Sequence, residues 1–174
     1  VGSEMCIRDR LECSRMPLVV DADGLNLMSA AGMEGRVKSH MVLTPHPGEM
    51  ERMFPEASVL GRADCARAFV GSYPCTLLYK GSRTIVTSAG EDLHYNVTGN
   101  PGMASGGQGD VLSGVLGALL ASGMTSLDAA RSAAWLAGRA SEIALEKRQS
   151  QESLLASDTG NALGEAFRAL RGGR

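Results

Sequence analysis

Apolar positions along the chain follow two patterns: short unbroken runs, and longer stretches that recur at one-turn spacing. Pro17-Leu18-Val19-Val20 is the first run; it predicts a buried strand that ends in the polar loop Asp21-Ala22-Asp23-Gly24. A helical or irregular stretch, Leu25–Lys38, precedes the second predicted strand, Met41-Val42-Leu43, which ends in Thr44-Pro45-His46-Pro47-Gly48-Glu49. The next spacing predicts a helix over about Gly61–Ser72, with Ala63, Ala66, Phe69 and Val70 on its apolar side. Thr76–Tyr79 is a third strand, ending in Lys80-Gly81-Ser82, and Thr84–Thr87 and Leu93–Val97 flank the turn Ser88-Ala89-Gly90-Glu91 as a hairpin. Three helices close the chain. The first follows Asp110, the second covers roughly Ser126–Arg148 behind a Thr125-x-x-Asp128 capping box, and the third covers roughly Asp158–Leu170 before Gly172-Gly173.

Strands that read as continuous apolar runs and alternate with helices predict an α/β fold with a mostly parallel central sheet flanked by helices. Ligands in such folds bind at the carboxyl ends of the strands. Three strand ends here carry polar groups: Asp21 and Asp23, then His46 and Glu49, then Lys80. A glycine-dense segment, GNPGMASGGQGD, runs into the helix bearing Val111, Leu112, Val115, Leu116, Leu119 and Leu120. Free N–H groups and the positive end of the helix dipole make the Gly106-Gly107-Gln108-Gly109 turn a candidate anion site. Asp110 would repel a phosphate bound there, so its carboxylate makes better sense as a base for the group being phosphorylated. Each residue also has a plainer explanation. Asp110 is a possible N-cap, His46 a rigid-turn residue between prolines, Glu49 the acid opening a short helix, Lys80 a snorkelling side chain, and Asp21 and Asp23 a strand-ending turn. Trp135 with its alanine-rich helix reads as core, and the nine methionines as gap-fillers.

The remaining composition narrows the classes. The chain has 174 residues, net charge −2, 44% hydrophobic and 21% charged residues, which describes one globular domain able to bury a core. There is no basic excess to bind nucleic acid and no apolar run long enough to span a membrane. Cys6, Cys13, Cys65 and Cys75, like His40, His46 and His94, lack metal-ligand spacing, so a reducing, cytoplasmic setting is the expectation.

PLVVDADGLN, LTPHPGE, LLYKGSRT and GNPGMASGGQGDVLSGVLGALL, in that order and followed by LLASD, resemble the C-terminal part of the NAD(P)H-hydrate dehydratase family, within the ribokinase-like superfamily. The resemblance runs from about Pro17 to the end. Related small-molecule kinases typically carry Asn where His46 stands, which favours the dehydratase. The resemblance implies an enzyme that returns hydrated NADH and NADPH (NADHX and NADPHX) to NADH and NADPH with ADP or ATP, by phosphorylating the ring hydroxyl and eliminating phosphate. By analogy Asp110 would deprotonate that hydroxyl, and His46 and Asp110 would contact the hydrated dinucleotide. Lys80, Gly81, Ser82, Arg83, Thr84 and Gly109 would bind the nucleotide, and Gly106, Gly107, Gln108 and Gly109 would supply amides to the transferring phosphoryl. Mg²⁺ would neutralise charge, through water on Glu49. Homo-oligomers and a fused or separate NAD(P)H-hydrate epimerase are the partners it implies. A ribokinase-like small-molecule kinase and a non-catalytic nucleotide-binding fragment are the alternatives.

Residues 1–10, VGSEMCIRDR, lack periodicity and read as a non-native leader, leaving 11–174 as the C-terminal portion of one domain. The family's early strands and its GPG-type motif have no counterpart before Pro17, which predicts an unpaired sheet edge and an isolated chain that is inactive.

Overall fold

The computed structural model describes residues 9–32, 34–147 and 149–172. Its elements, in order, are β1 (Leu18–Val20), α1 (Asp23–Ala30), β2 (Met41–Leu43), α2 (Pro47–Met53), α3 (Arg62–Ser72), β3 (Thr76–Tyr79), β4 (Ile85–Ser88), β5 (His94–Tyr95), α4 (Gln108–Ala121), α5 (Ser126–Lys147) and α6 (Ala156–Leu170). Single 3₁₀ turns stand at Glu34–Arg36, Pro55–Ser58 and Pro101–Met103. The strands form one sheet in the order β1-β2-β3-β4-β5. β1, β2 and β3 pair in parallel, β4 runs antiparallel to β3, and β5 antiparallel to β4, so only β4 opposes the common direction among the described strands.

Strand alternation decides which side chain meets which helix layer. Val42, Leu78 and Val86 face α4, α5 and α6, whereas Met41, Leu43, Leu77, Tyr79 and Ile85 face α1, α2 and α3. On the first side α5 crosses β2, β3 and β4. Its buried stripe is built from Ala129, Ala130, Ala133, Ala134, Ala137 and Ala140, small enough to bring the helix backbone close to the sheet. On the second side Phe54, Phe69 and Tyr73 pack edge-on or tilted, with ring centroids 4.9–6.4 Å apart.

Most element positions follow the pattern read from the sequence, and the differences are local. Leu25–Lys38 divides into α1 and the turn Glu34–Arg36. The apolar side of α3 takes in Cys65, and Ala63 is only half-buried. The hairpin's second strand shortens to two exposed residues; the Asn96 N–H still donates to Thr84 O at 2.9 Å, while its side-chain amide bonds Ala134 O of α5. The Thr125–Asp128 cap forms as spaced: the Asp128 N–H donates to Thr125 Oγ1 at 3.2 Å. Of the expected leader, residues 1–8 lie outside the described residues; residues 9–13 are helical, and Leu11 is buried in the core on the α1–α3 side. Arg148 and Gly173, at predicted helix ends, also lie outside the described residues.

Candidate active site

Asp21, Thr44 and Lys80 each follow directly on the last residue of a parallel strand, which brings the three strand ends side by side. Backbone bonds carry the ladder on past the strands: the Thr44 N–H donates to Val20 O and the Lys80 N–H to Pro45 O, at 3.1 and 2.8 Å. The loop holding His46 is thereby fixed against Lys80.

A continuous chain of polar contacts crosses this edge. Lys80 Nζ donates to Asp21 Oδ1 at 2.8 Å, and Ser113 Oγ donates to Asp21 Oδ2 at 2.7 Å. Lys80 Nζ also stands 3.7 Å from Glu49 Oε2. Glu49 is buried at the start of α2 and closes a reciprocal cap with His46. The His46 N–H donates to Glu49 Oε2 at 2.7 Å, and the Glu49 N–H donates to His46 Nδ1 at 3.3 Å. That cap fixes the imidazole with Nδ1 facing its own helix. Nε2 lies 3.5 Å from Glu49 Oε1 on a ring about half exposed. Asp21 holds its proton more weakly than an ordinary carboxyl. Burial alone would push it up, but the hydrogen bonds from Lys80 and Ser113 and the charge on Lys80 together outweigh that.

The glycine turn reaches the same place. Gly107 is the N-cap of α4 at φ 86°, a left-handed conformation that glycine adopts without penalty, and no side chain caps the helix. No side chain therefore takes up its first amides. A Cβ on Gly109 would sit 3.6 Å from Asp21 Oδ2 and 3.9 Å from Lys80 Nζ, so this residue brings the helix start against the Lys80–Asp21 pair. Asp110 is not the N-cap. It is the third residue of α4, exposed, one turn before Ser113, and it opens onto a groove of about 380 Å³ between α4 and α6 walled by Val111, Gly114, Leu163 and Phe167. Gly106 and Gly107 are exposed. Gln108 is buried, and neither its amide oxygen nor its amide nitrogen has a partner among the described residues.

Beyond Lys80, residues Gly81, Ser82 and Arg83 form an exposed loop, with Thr84 half-buried. Arg62 of α3, which sequence reasoning did not single out, shapes it. The guanidinium lies 4.7 Å from the Tyr79 ring centroid and donates to the carbonyls of Tyr79, Lys80 and Arg83 at 3.0, 3.0 and 3.1 Å. A Cβ on Gly81 would come within 2.6 Å of Arg62 Nη2, so only glycine lets the guanidinium lie there. On the other flank, a strap of residues ties the glycine-rich segment to α5. Asn96 donates to Ala134 O, Thr98 to Trp135 O, the Gly99 N–H to Glu142, and Asn100 to Ser141, all within 3.2 Å.

The structure thus gathers Asp21, His46, Glu49, Lys80 and the start of α4 at one end of the sheet. Asp23 stands apart, exposed at the start of α1. Ser113 and Arg62 carried no sequence signal beyond their polarity, since their importance comes from partners 92 and 17–21 positions away. Among the described residues no group of three or more His, Cys, Asp and Glu side chains could hold a metal ion. Both Glu49 oxygens already face His46 and Lys80, which leaves neither free to ligate a metal directly.

The fold places this chain among the ribokinase-like α/β proteins. A ribokinase-like superfamily protein from Enterococcus faecalis superposes with a TM-score of 0.82 over 97% of this chain, at 19% identity, covering 59% of that protein. The family model for NAD(P)H-hydrate dehydratase matches residues 6–163, and the chain belongs to that family. It is 35% identical over 148 residues to an ADP-dependent (S)-NAD(P)H-hydrate dehydratase of Neisseria meningitidis, covering 82% of this chain and 50% of the relative. It is 37% identical to a bifunctional NAD(P)H-hydrate repair enzyme of Escherichia coli, covering 86% of this chain and 29% of that protein. The Bacillus subtilis ADP/ATP-dependent NAD(P)H-hydrate dehydratase, co-crystallized with ATP/Mg²⁺, matches with a TM-score of 0.81 at 26% identity, over 97% of this chain and 60% of that one. The chain therefore spans half or less of the length of these curated relatives.

Proposed function

We propose that the chain is the C-terminal portion of a nucleotide-dependent NAD(P)H-hydrate dehydratase domain, which restores NADH and NADPH from their hydrated forms at the expense of ADP or ATP. Hydroxide is a poor leaving group. Transferring a phosphoryl group to the ring hydroxyl and then expelling phosphate removes that obstacle. Asp110, accessible in the first turn of α4, takes the hydroxyl proton. The amides of the Gly106–Gly109 turn and the Lys80 ammonium stabilise negative charge on the transferring group. Lys80 through Thr84, with Gly109, hold the nucleotide. His46, with Nδ1 committed to the Glu49 amide, has Nε2 to offer the hydrated dinucleotide. Mg²⁺ would be held through water on Glu49 and by the nucleotide phosphates, and it would neutralise phosphate charge. The bifunctional relatives support an NAD(P)H-hydrate epimerase, fused to this domain or separate, as its partner. A cytoplasmic setting suits Cys65 and Cys75, which are both unpaired.

The observation that carries this reading is the approach of Gly109 to Lys80 and Asp21 at the carboxyl ends of parallel strands. The decisive assay supplies hydrated NADH to the whole protein with ADP or ATP and follows recovery of reduced nicotinamide absorbance. Asp110→Ala is expected to bind nucleotide as before and to lose turnover by a factor of at least about 10². A stable phosphorylated product without elimination would instead assign a kinase.

A further inference from the structure

Asp21 reads from sequence as the end of a turn, yet its carboxylate joins three separate parts of the molecule. It accepts from Lys80 at the end of β3, from Ser113 in the second turn of α4, and from the N–H of Ala22 at 2.9 Å. Ala22 is the one non-glycine residue at positive φ (48°) among the described residues, a conformation costly for a residue with a Cβ. The Ala22 N–H and the Lys80 ammonium thus meet on the same oxygen, Asp21 Oδ1. Lysine is otherwise rotamer-rich, a point charge on a flexible stem. Here only 21% of its side chain is exposed, and one of its three donors is engaged.

We propose that Asp21 is a positioning residue that clasps the Lys80 ammonium and the Ser113 hydroxyl together, fixing the phosphate-facing cation against the α4 turn that carries Asp110. This rests on Lys80 being a nucleotide-phosphate ligand. The clasp occupies one ammonium donor and leaves two for phosphate oxygens. Because Ser113 follows Asp110 by three residues, the same carboxylate sets the base and the cation in one register.

The test measures ADP and adenosine binding by calorimetry to the whole protein that carries these residues, for the parent, Asp21→Asn, Lys80→Met and the double variant. Asp21→Asn keeps the side chain's shape and removes its charge. It is expected to weaken ADP about tenfold, leave adenosine unchanged, and add nothing in the Lys80→Met background. Equal ADP affinity for Asp21→Asn and the parent, with Lys80→Met weakened, would overturn the clasp alone. Parallel losses for ADP and adenosine would overturn it by showing a general effect on folding, and full additivity with Lys80→Met would overturn it by showing that the two residues act independently. Lys80→Met binding ADP like the parent, or a whole parent protein that binds no ADP, would remove the underlying reading and the clasp with it. Should Asp21→Asn fail to melt cooperatively, Ser113→Ala decides. An ADP-selective loss supports the clasp, and unchanged ADP affinity overturns it.

Discussion

Acid should open the Asp21 clasp in a defined window. The folded protein holds the Asp21 carboxyl below its ordinary 3.8, so the unfolded chain binds that proton more readily. The stabilisation is therefore complete above about pH 5 and is lost as pH falls through the lowered folded value. Unfolding free energies of the parent chain and Asp21→Asn should differ by a constant amount above about pH 5, and the gap should shrink as pH falls through the ordinary 3.8 toward the lowered folded value; a gap independent of pH would contradict this ion pair. Gly81 is a second single-residue constraint. Gly81→Ala forces the Arg62 guanidinium off its carbonyls, and denaturant titration should show a loss of about 1–3 kcal/mol. Burial pushes the Cys75 thiol up to about 12, so Cys75 should resist alkylation at neutral pH while exposed Cys13 reacts, as peptide mapping after a brief pulse would reveal. Sequence made His46, Lys80 and Gly109 visible because each sits in a short, chemically loaded stretch. Asp21 was undervalued for a physical reason: a D-A-D-G turn looks the same whether or not a lysine 59 positions away folds onto it.

At the scale of elements, periodicity located nearly everything that packs. Thr76–Tyr79 and Met41–Leu43 are unbroken apolar runs because both faces of those strands are covered, so the run and the strand coincide. β5 is shorter than the alternating apolar residues of Leu93–Val97 predict: the Asn96 N–H still meets Thr84 O, but its side chain is buried against Ala134 O, an acceptor no local pattern announces. α4 illustrates the converse. Its helical stripe was legible, but the left-handed Gly107 that starts it becomes certain only from the backbone. A Cβ there would meet both the strained dihedral and Ala156 Cβ at 3.0 Å. Gly107→Ala should cost about 1–2 kcal/mol and, by re-aiming the first amides of α4, weaken ADP more than adenosine in the same calorimetry.

For the whole molecule, the sheet ends at β1, which pairs with β2 and has no strand on its other side among the described residues. An open ladder is a template for pairing. Sedimentation velocity on the 174-residue chain is expected to show association that grows with concentration; a single monomeric boundary at every concentration would show that this edge is protected. The opposite flank of the fold carries a different lesson. At Gly138, deep in α5, an added Cβ would lie 2.2 Å from Thr98 Oγ1, because the strap and the helix cross with no room between them. Damage at a crossing like this would travel along the chain to the ligand end without altering one residue that touches a ligand. If the proposed site holds, substitutions that abolish nucleotide binding should therefore cluster in two places, at the strand-end mouth and along the spine onto which its glycine loop is laced.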